Sequence, residues 1–317
     1  ALSDHWREDG IYVATDDIFI SNGCMPALSL LIQQMSQEGD SILIPTPTYN
    51  GQLQMLASLK RKIIEIPADH RGIDLERLEF FMKQGSAKLC LLTANFQNPL
   101  GYCLSHQQKQ KIAQLAQQYQ CFILEDDIYG ECSFQKERPL PIRYWDQQGY
   151  VIWCGSVSKS LSSAYRVGWF CLGQQLQHLR PQLLANNIGV NTPLQLGLAD
   201  FIYSRGYREH LEGLRPKLMQ QVEQYRAYIL EVFNGIPIAL SQSQGGYALW
   251  MQLPENMTGL ALYYLAHSQG INIVPGEVFG EDLRYQHFIR LNAGHALTPE
   301  IRQAIQQLAD WVRESYL

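Results

Sequence analysis

The 317-residue sequence has no apolar run approaching 18 residues, so no segment of it reads as a membrane-crossing helix. It has no excess of positive charge either. The formal net charge is −5 and the pI is near 5.9, whereas a chain that grips nucleic acid or an acidic membrane needs a basic face. Direct binding of DNA or membrane by this stretch is therefore not expected. The seven cysteines (Cys24, Cys90, Cys103, Cys121, Cys132, Cys154 and Cys171) include no Cys-x-x-Cys pair, and four lie in or beside apolar strand-like runs. That argues against a disulfide framework or a zinc site, and for reduced core thiols in a cytoplasmic protein. No internal repeat or low-complexity tract is visible. The opening "ALSDHWREDG" has neither an initiator methionine nor the pattern of a signal peptide, and reads as part of something longer.

What is present is the composition of an ordinary globular protein, 46% apolar and 17% charged, long enough for one large domain and a smaller one. Up to about residue 205, short β-branched runs alternate with helical patterns. The spacing predicts strands over 18–20, 41–44, 62–66, 89–93, 122–125, 151–154 and 167–172. Helices are predicted over 25–37 and 105–119, the second opened by a serine cap. Such alternation predicts an α/β fold, a mostly parallel sheet of about seven strands sandwiched by helices. From residue 206 the pattern changes. A long helix over 211–233, kinked or started near Pro216, precedes strands over 237–240, 247–252, 271–274 and 288–291 and a closing helix over 299–316. This predicts a large domain over 1–205 and a smaller α+β domain over 206–317.

Six short stretches carry candidate chemistry. In "CGSVSKSLSSAYRVGW", Lys159 lies between two apolar runs among small hydroxyl residues. Ser156, Ser158 and the fixed cation of Arg166 together suit a doubly charged phosphate. A lysine beside a phosphate site at strand ends suggests an aldehyde cofactor held as a Schiff base, with burial and nearby cations lowering the lysine's pKa. In "FILEDDIYGE", Asp126 ends a buried strand three positions before Tyr129. A carboxylate there could keep a pyridine nitrogen protonated, and Tyr129 could hydrogen-bond a phenolic oxygen. Asn98, in "TANFQNPLG", could donate to that same oxygen.

In "ISNGCMPAL", Gly23 turns a strand into a helix whose first amides, at Cys24 and Met25, form an anion site. Tyr49, in "PTPTYNG", could stack on a planar ring. Arg290, in "FIRLNAGH", could clamp a carboxylate in bidentate fashion. Each has a plainer reading when taken singly: a turn, a cap, core packing or a surface ion pair. Their joint occurrence in one order at the ends of alternating strands, where such folds place ligands, carries the argument.

Together these residues resemble the fold-type I pyridoxal phosphate enzymes, the aspartate-aminotransferase-like superfamily. The resemblance implies pyridoxal 5′-phosphate as cofactor, Lys159 as the Schiff-base lysine and Asp126 as the pyridinium partner. It implies Tyr129 and Asn98 at the phenolic oxygen and Tyr49 stacked on the ring. Gly23, Cys24, Met25, Ser156, Ser158 and Arg166 would form the phosphate cup, and Arg290 would hold the substrate carboxylate. The wording of "NFQNPLG", "EDDIYGE", "GGYALW" and "RLNAGH" is most similar to the aminotransferase-like domain of MocR-type regulators of the GntR family. Those join such a domain to an N-terminal winged helix-turn-helix.

That resemblance implies an effector domain sensing a small amino compound, a homodimer, and DNA contact through a winged-helix domain outside this sequence. The alternative is a free-standing class I/II aminotransferase acting on an amino acid and a 2-oxo acid. A third reading, a dimerisation module that has lost its cofactor, fits poorly with intact Lys159, Asp126, Asn98 and Arg166. Only about twenty residues precede the "SNG" turn, where the superfamily carries a longer arm.

Overall fold

A computed structural model describes residues 1–186 and 189–316. Its larger sheet has eight strands: β1 (Ile18–Ser21), β2 (Ser41–Thr46), β3 (Lys62–Asp69), β4 (Gly72–Ile73), β5 (Leu89–Leu92), β6 (Phe122–Asp126), β7 (Val151–Ser156) and β8 (Gly168–Cys171). They lie in the order β1-β8-β7-β6-β5-β2-β3-β4. The run from β7 to β3 is parallel, and β8, β1 and β4 are antiparallel additions at the two edges. The α/β expectation holds. The eighth strand is β4, a two-residue hairpin arm too short to leave a periodic trace in the sequence.

The helices of this part are α1 (Leu2–Arg7), α2 (Cys24–Met35), α3 (Asn50–Ser58), α4 (Leu75–Lys83), α5 (His106–Tyr119), α6 (Arg180–Asn186) and α7 (Thr192–Tyr203). Successive strand side chains point to opposite faces, and the two cores follow that alternation. Ile42, Ile44, Leu89, Leu91 and Leu124 pack with Leu28, Ile32 and Leu56 of α2 and α3. Leu43, Cys90, Leu92 and Ile123 pack on the other face with Leu78, Ile112 and Leu115 of α4 and α5. Helix α5 starts where its serine predicts. Ser105 accepts from the Gln108 amide while the Gln108 side chain returns a bond to the Ser105 backbone.

The second sheet is antiparallel, with β9 (Ala239–Leu240), β10 (Ala248–Gln252), β11 (Val274–Pro275) and β12 (Phe288–Asn292) in the order β11-β12-β10-β9. It packs on α8 (Gly206–Val232), α9 (Gly259–Ser268) and α10 (Pro299–Tyr316). Two expectations need correction. Helix α8 begins at Gly206 and runs through Pro216. Its first turns bury Tyr207 and Leu211 against Trp6, Trp153 and Trp169, and this packing outweighs the proline's missing donor. Residues 271–273 form no ladder although Ile273 is buried in the core, so the strand there shrinks to Val274–Pro275. All seven cysteines are free thiols, and no helix among the described residues is long and apolar enough to cross a membrane.

Candidate active site

The parallel strands β2, β5, β6 and β7 all point their carboxyl ends at one cavity of about 420 Å³, which the small sheet closes from the other side with Arg290 and Asn292 of β12. This is the ligand-binding edge of an open α/β sheet. Cys24, Met25, Tyr49, Asn98, Asp126, Tyr129, Ser158, Lys159, Arg166 and Arg290 all line it. Gly23 and Ser156 sit just behind the lining.

Gly23 is the N-cap of α2 with φ 110°, a conformation that favours glycine. A Cβ there would come within 2.6 Å of the Arg166 guanidinium, and one on Gly168 within 2.6 Å of the Gly23 backbone. Two glycines thus let β8, the start of α2 and Arg166 meet at one corner. Arg166 donates to the Asn22 carbonyl at 2.7 Å, and the first amides of α2 have no partner within the helix. With the Ser158 and Ser163 side chains, which also face the cavity, they make a corner rich in donors and positive potential. Ser156 is buried, and its hydroxyl accepts the Ser158 amide at 3.2 Å, so it shapes the turn that carries Ser158 and Lys159.

Tyr49 caps α3 at its N-terminus and is 40% exposed. A side chain on Gly51 would come within 2.5 Å of its ring. The ring therefore lies along the glycine and leaves a face open to the cavity. Opposite, Asp126 ends β6 and is buried. Its Oδ1 accepts from the Cys24 thiol at 3.2 Å and the Ile128 amide at 3.2 Å, and its Oδ2 accepts from the Gln52 amide at 2.8 Å. Burial pushes this carboxyl up, and the donors from Cys24, Ile128 and Gln52 pull it back.

The Lys159 ammonium makes no hydrogen bond or ion pair among the described residues, and lies 5.9 Å from the ring centre of Tyr129. Burial lowers its pKa, and the charge of Arg290 lowers it further. Tyr129 meets Tyr247 edge to face at 5.5 Å, and burial raises its hydroxyl well above the usual range. Arg290 stands opposite Trp250 in the β10–β12 ladder, has no carboxylate partner among the described residues, and keeps a buried Nε with no acceptor. The Asn98 side-chain oxygen is also buried without a donor. Buried polar atoms are rarely left so, and these two face the same cavity.

The sequence reading passed over Gln52, Thr93, Ile128, Ser163 and Asn292, which also line the cavity. Most lie inside stretches already singled out. Gln52 follows Tyr49 by three residues, one helical turn, and that spacing is the signal that could have found it.

Behind Asp126 the same strand end carries a different assembly. Asp127 accepts from Arg138, from the Trp153 indole at 2.8 Å and from Asn95 at 2.7 Å. Arg138 also bonds Glu131 at 2.8 Å. Arg215 reaches the other Glu131 oxygen at 2.9 Å, and His5 of α1 lies 3.7 Å away. All of these groups are buried.

Comparison with known proteins agrees with this geometry. The model of the family "Aminotransferase class I and II" matches residues 1–308. A protein of Escherichia coli named as the uncharacterised HTH-type transcriptional regulator YdcR is 32% identical over 315 residues, 99% of this chain and 67% of that protein. The aromatic-amino-acid aminotransferase 1 of Thermococcus litoralis is 28% identical over 99% of this chain and 77% of its own length. The crystal structure of Pyrococcus horikoshii kynurenine aminotransferase, described as a complex with PMP, superposes with a TM-score of 0.87 at 25% identity. It covers all of this chain and 80% of that one. The chain spans about two thirds of the length of the two Escherichia coli regulators it matches. On the family match and the near-complete alignment, this chain belongs to the aminotransferase class I and II family, and its cofactor is pyridoxal phosphate.

Proposed function

We propose that this chain is the effector-sensing part of a GntR/MocR-type transcription regulator, which binds pyridoxal phosphate at Lys159 and responds to a small amino compound. The observation that carries the reading is the pairing of Lys159 and Arg290 in one cavity, each with no hydrogen-bond or ion-pair partner among the described residues, beside an acidic group already held in place. The carbonyl of the cofactor would take Lys159, and the carboxylate of an amino acid would take Arg290. The similarity to a protein named as a transcriptional regulator, longer than this chain, supports the regulatory half. DNA contact would come from a winged-helix segment outside this sequence, the active form would be a cytoplasmic homodimer, and the boundary between large and small domains would fall near residue 205.

The residues present fit the cofactor. When bound, it supplies an electrophilic carbonyl for amines and an electron-withdrawing ring. The first amides of α2, Ser158, Ser163 and Arg166 would hold its phosphate, and Tyr49 would cover one ring face. Asp126 would accept from the ring nitrogen, while Asn98 and Tyr129 would meet the ring oxygen. Burial and Arg290 shift Lys159 toward its neutral, nucleophilic form. Arg290 keeps its charge although burial lowers its pKa, and its fork suits a carboxylate in two-point fashion. Because Arg290 belongs to the small sheet and Lys159 to the turn that follows β7 of the large one, a ligand touching both would tie the two parts together. It would thereby shift the balance between their arrangements.

A second reading, complete amino transfer, is favoured by the relative named as an aromatic-amino-acid aminotransferase. Lys159 would then also carry a proton to and from the substrate carbon. The absorption spectrum of the chain with pyridoxal phosphate, before and after a panel of amino acids and amines, separates the two. A long-wavelength band that shifts but persists supports sensing without turnover. Conversion to the short-wavelength absorption of the aminated cofactor supports the enzyme.

A further inference from the structure

Asp126 is gripped by side chains that the chemistry above does not require. The Cys24 thiol and the Ile128 amide reach Oδ1, each at 3.2 Å, and the Gln52 amide reaches Oδ2 at 2.8 Å. Behind Gln52, the Thr48 hydroxyl donates to Oε1 at 3.0 Å, which sets the amide with its NH₂ toward the carboxylate. Cys24, Thr48, Gln52 and Asp126 are all buried. The thiol serves as a donor because burial, then Asp126 itself, keeps its proton on. The other titratable groups around Asp126 are Cys154 of β7, Tyr129, Lys159 and the neighbouring Asp127, whose carboxylate turns to Arg138.

An ionised carboxylate offers about two acceptor sites on each oxygen. Oδ1 has both filled, and Oδ2 has one left. We propose that Gln52 and Cys24 are positioning residues that fix Asp126 with a single open acceptor site on Oδ2 and draw off part of its charge, thereby setting how strongly it holds the proton of the cofactor's ring nitrogen. This rests on the cofactor reading above and deepens it. Hydrogen bonds to a charged acceptor are stronger than neutral ones. A carboxylate served by three donors is therefore a weaker base than a bare one at the same depth. The site then supplies a moderated electron sink, suited to holding an amino compound without pressing it forward.

The test is the pH titration of the absorption band of the bound cofactor in the purified chain. Gln52→Leu removes a donor at nearly constant volume. More negative charge then stays on Asp126 and holds the proton on the ring nitrogen more firmly, the protonated ring withdraws electrons more strongly, and the Lys159 nitrogen joined to it loses its proton at lower pH. The expected shift of the midpoint is downward by on the order of half a pH unit. Cys24→Ala is expected to shift it the same way by less, and Cys24→Ser, which keeps a donor, to restore it toward the native value. Should Gln52→Leu not fold, Thr48→Val frees the amide to turn and is expected to give a smaller shift of the same sign. An intact band with unmoved midpoints in these variants would overturn the inference and leave the cofactor reading standing. A native chain with no band would overturn both.

Discussion

Asp126 and Asp127 are consecutive, equally deep, and set at the end of one strand, yet they live in opposite chemistries. Asp126 turns to a cavity and is held by neutral donors: a thiol, an amide side chain and a backbone N–H. Asp127 turns away from it and is matched by the full charge of Arg138, with an indole and an asparagine filling the remaining sites. Neutral donors stabilise a carboxylate without cancelling its charge, so Asp126 can still receive a cation. Asp127 has already received one. Asp126 is the last residue of β6 and Asp127 the first beyond it, where its amide still bonds the Cys154 carbonyl of β7 at 2.8 Å, so the alternation of an extended chain sends the two side chains to opposite sides. One residue step therefore divides a group kept for a ligand from a group committed to the fold.

The comparison breaks most visibly in stability. Asp127→Asn leaves Arg138 buried with half of its compensation, and breaking a buried pair in this way costs about 3 kcal/mol. Asp126→Asn removes a buried carboxylate that forms no ion pair among the described residues. Without cofactor it should stay within about 1 kcal/mol of the native chain, while losing most of its affinity for pyridoxal phosphate. Urea unfolding of the two variants, each as apoprotein, measures the difference. Equal losses would show that Asp126 is as structural as its neighbour.

A smaller effect sharpens the same contrast through pH. Burial alone would raise the Glu131 carboxyl, but Arg138, His5 and Arg215 hold it well below the usual carboxylate range. A folded-state pKa below the unfolded one contributes stability that is complete above about pH 4.5 and lost as pH falls further. Glu131→Gln should therefore flatten the acid limb of the stability curve. Burial raises the Asp126 carboxyl, so its protonation on folding offsets part of the acid loss, and Asp126→Asn should steepen that limb slightly where Glu131→Gln flattens it. Thermal unfolding followed from pH 6 to pH 3 reads both.

Much of this was legible in the sequence, for a physical reason. Alternating apolar runs report strand burial directly. The chemistry-bearing residues sit at strand ends, where Gly23, Asn98 and Lys159 interrupt those runs with unmistakable residue types. What stayed hidden depends on contacts between distant segments. Gln52 reads as one more polar residue on a helix until folding brings it within 2.8 Å of Asp126, 74 positions away. Arg138, Arg215 and His5 come from three separate elements, and nothing local marks them as partners of Glu131. The start of α8 was misplaced because Pro216 is a strong local signal, whereas the tryptophan cluster that holds the earlier turns is tertiary. Ser156 was expected in the phosphate cup for its hydroxyl, and nothing in the sequence shows that this hydroxyl accepts from the Ser158 amide.

The central claim is that Lys159 is where this chain holds pyridoxal phosphate. The most direct measurement is to incubate the native chain with the cofactor, reduce it with borohydride, digest it, and locate the modified residue by mass spectrometry. The account predicts a phosphopyridoxyl group on Lys159, and none on that peptide in Lys159→Ala. Modification spread over exposed lysines, with Lys159 untouched, would contradict it.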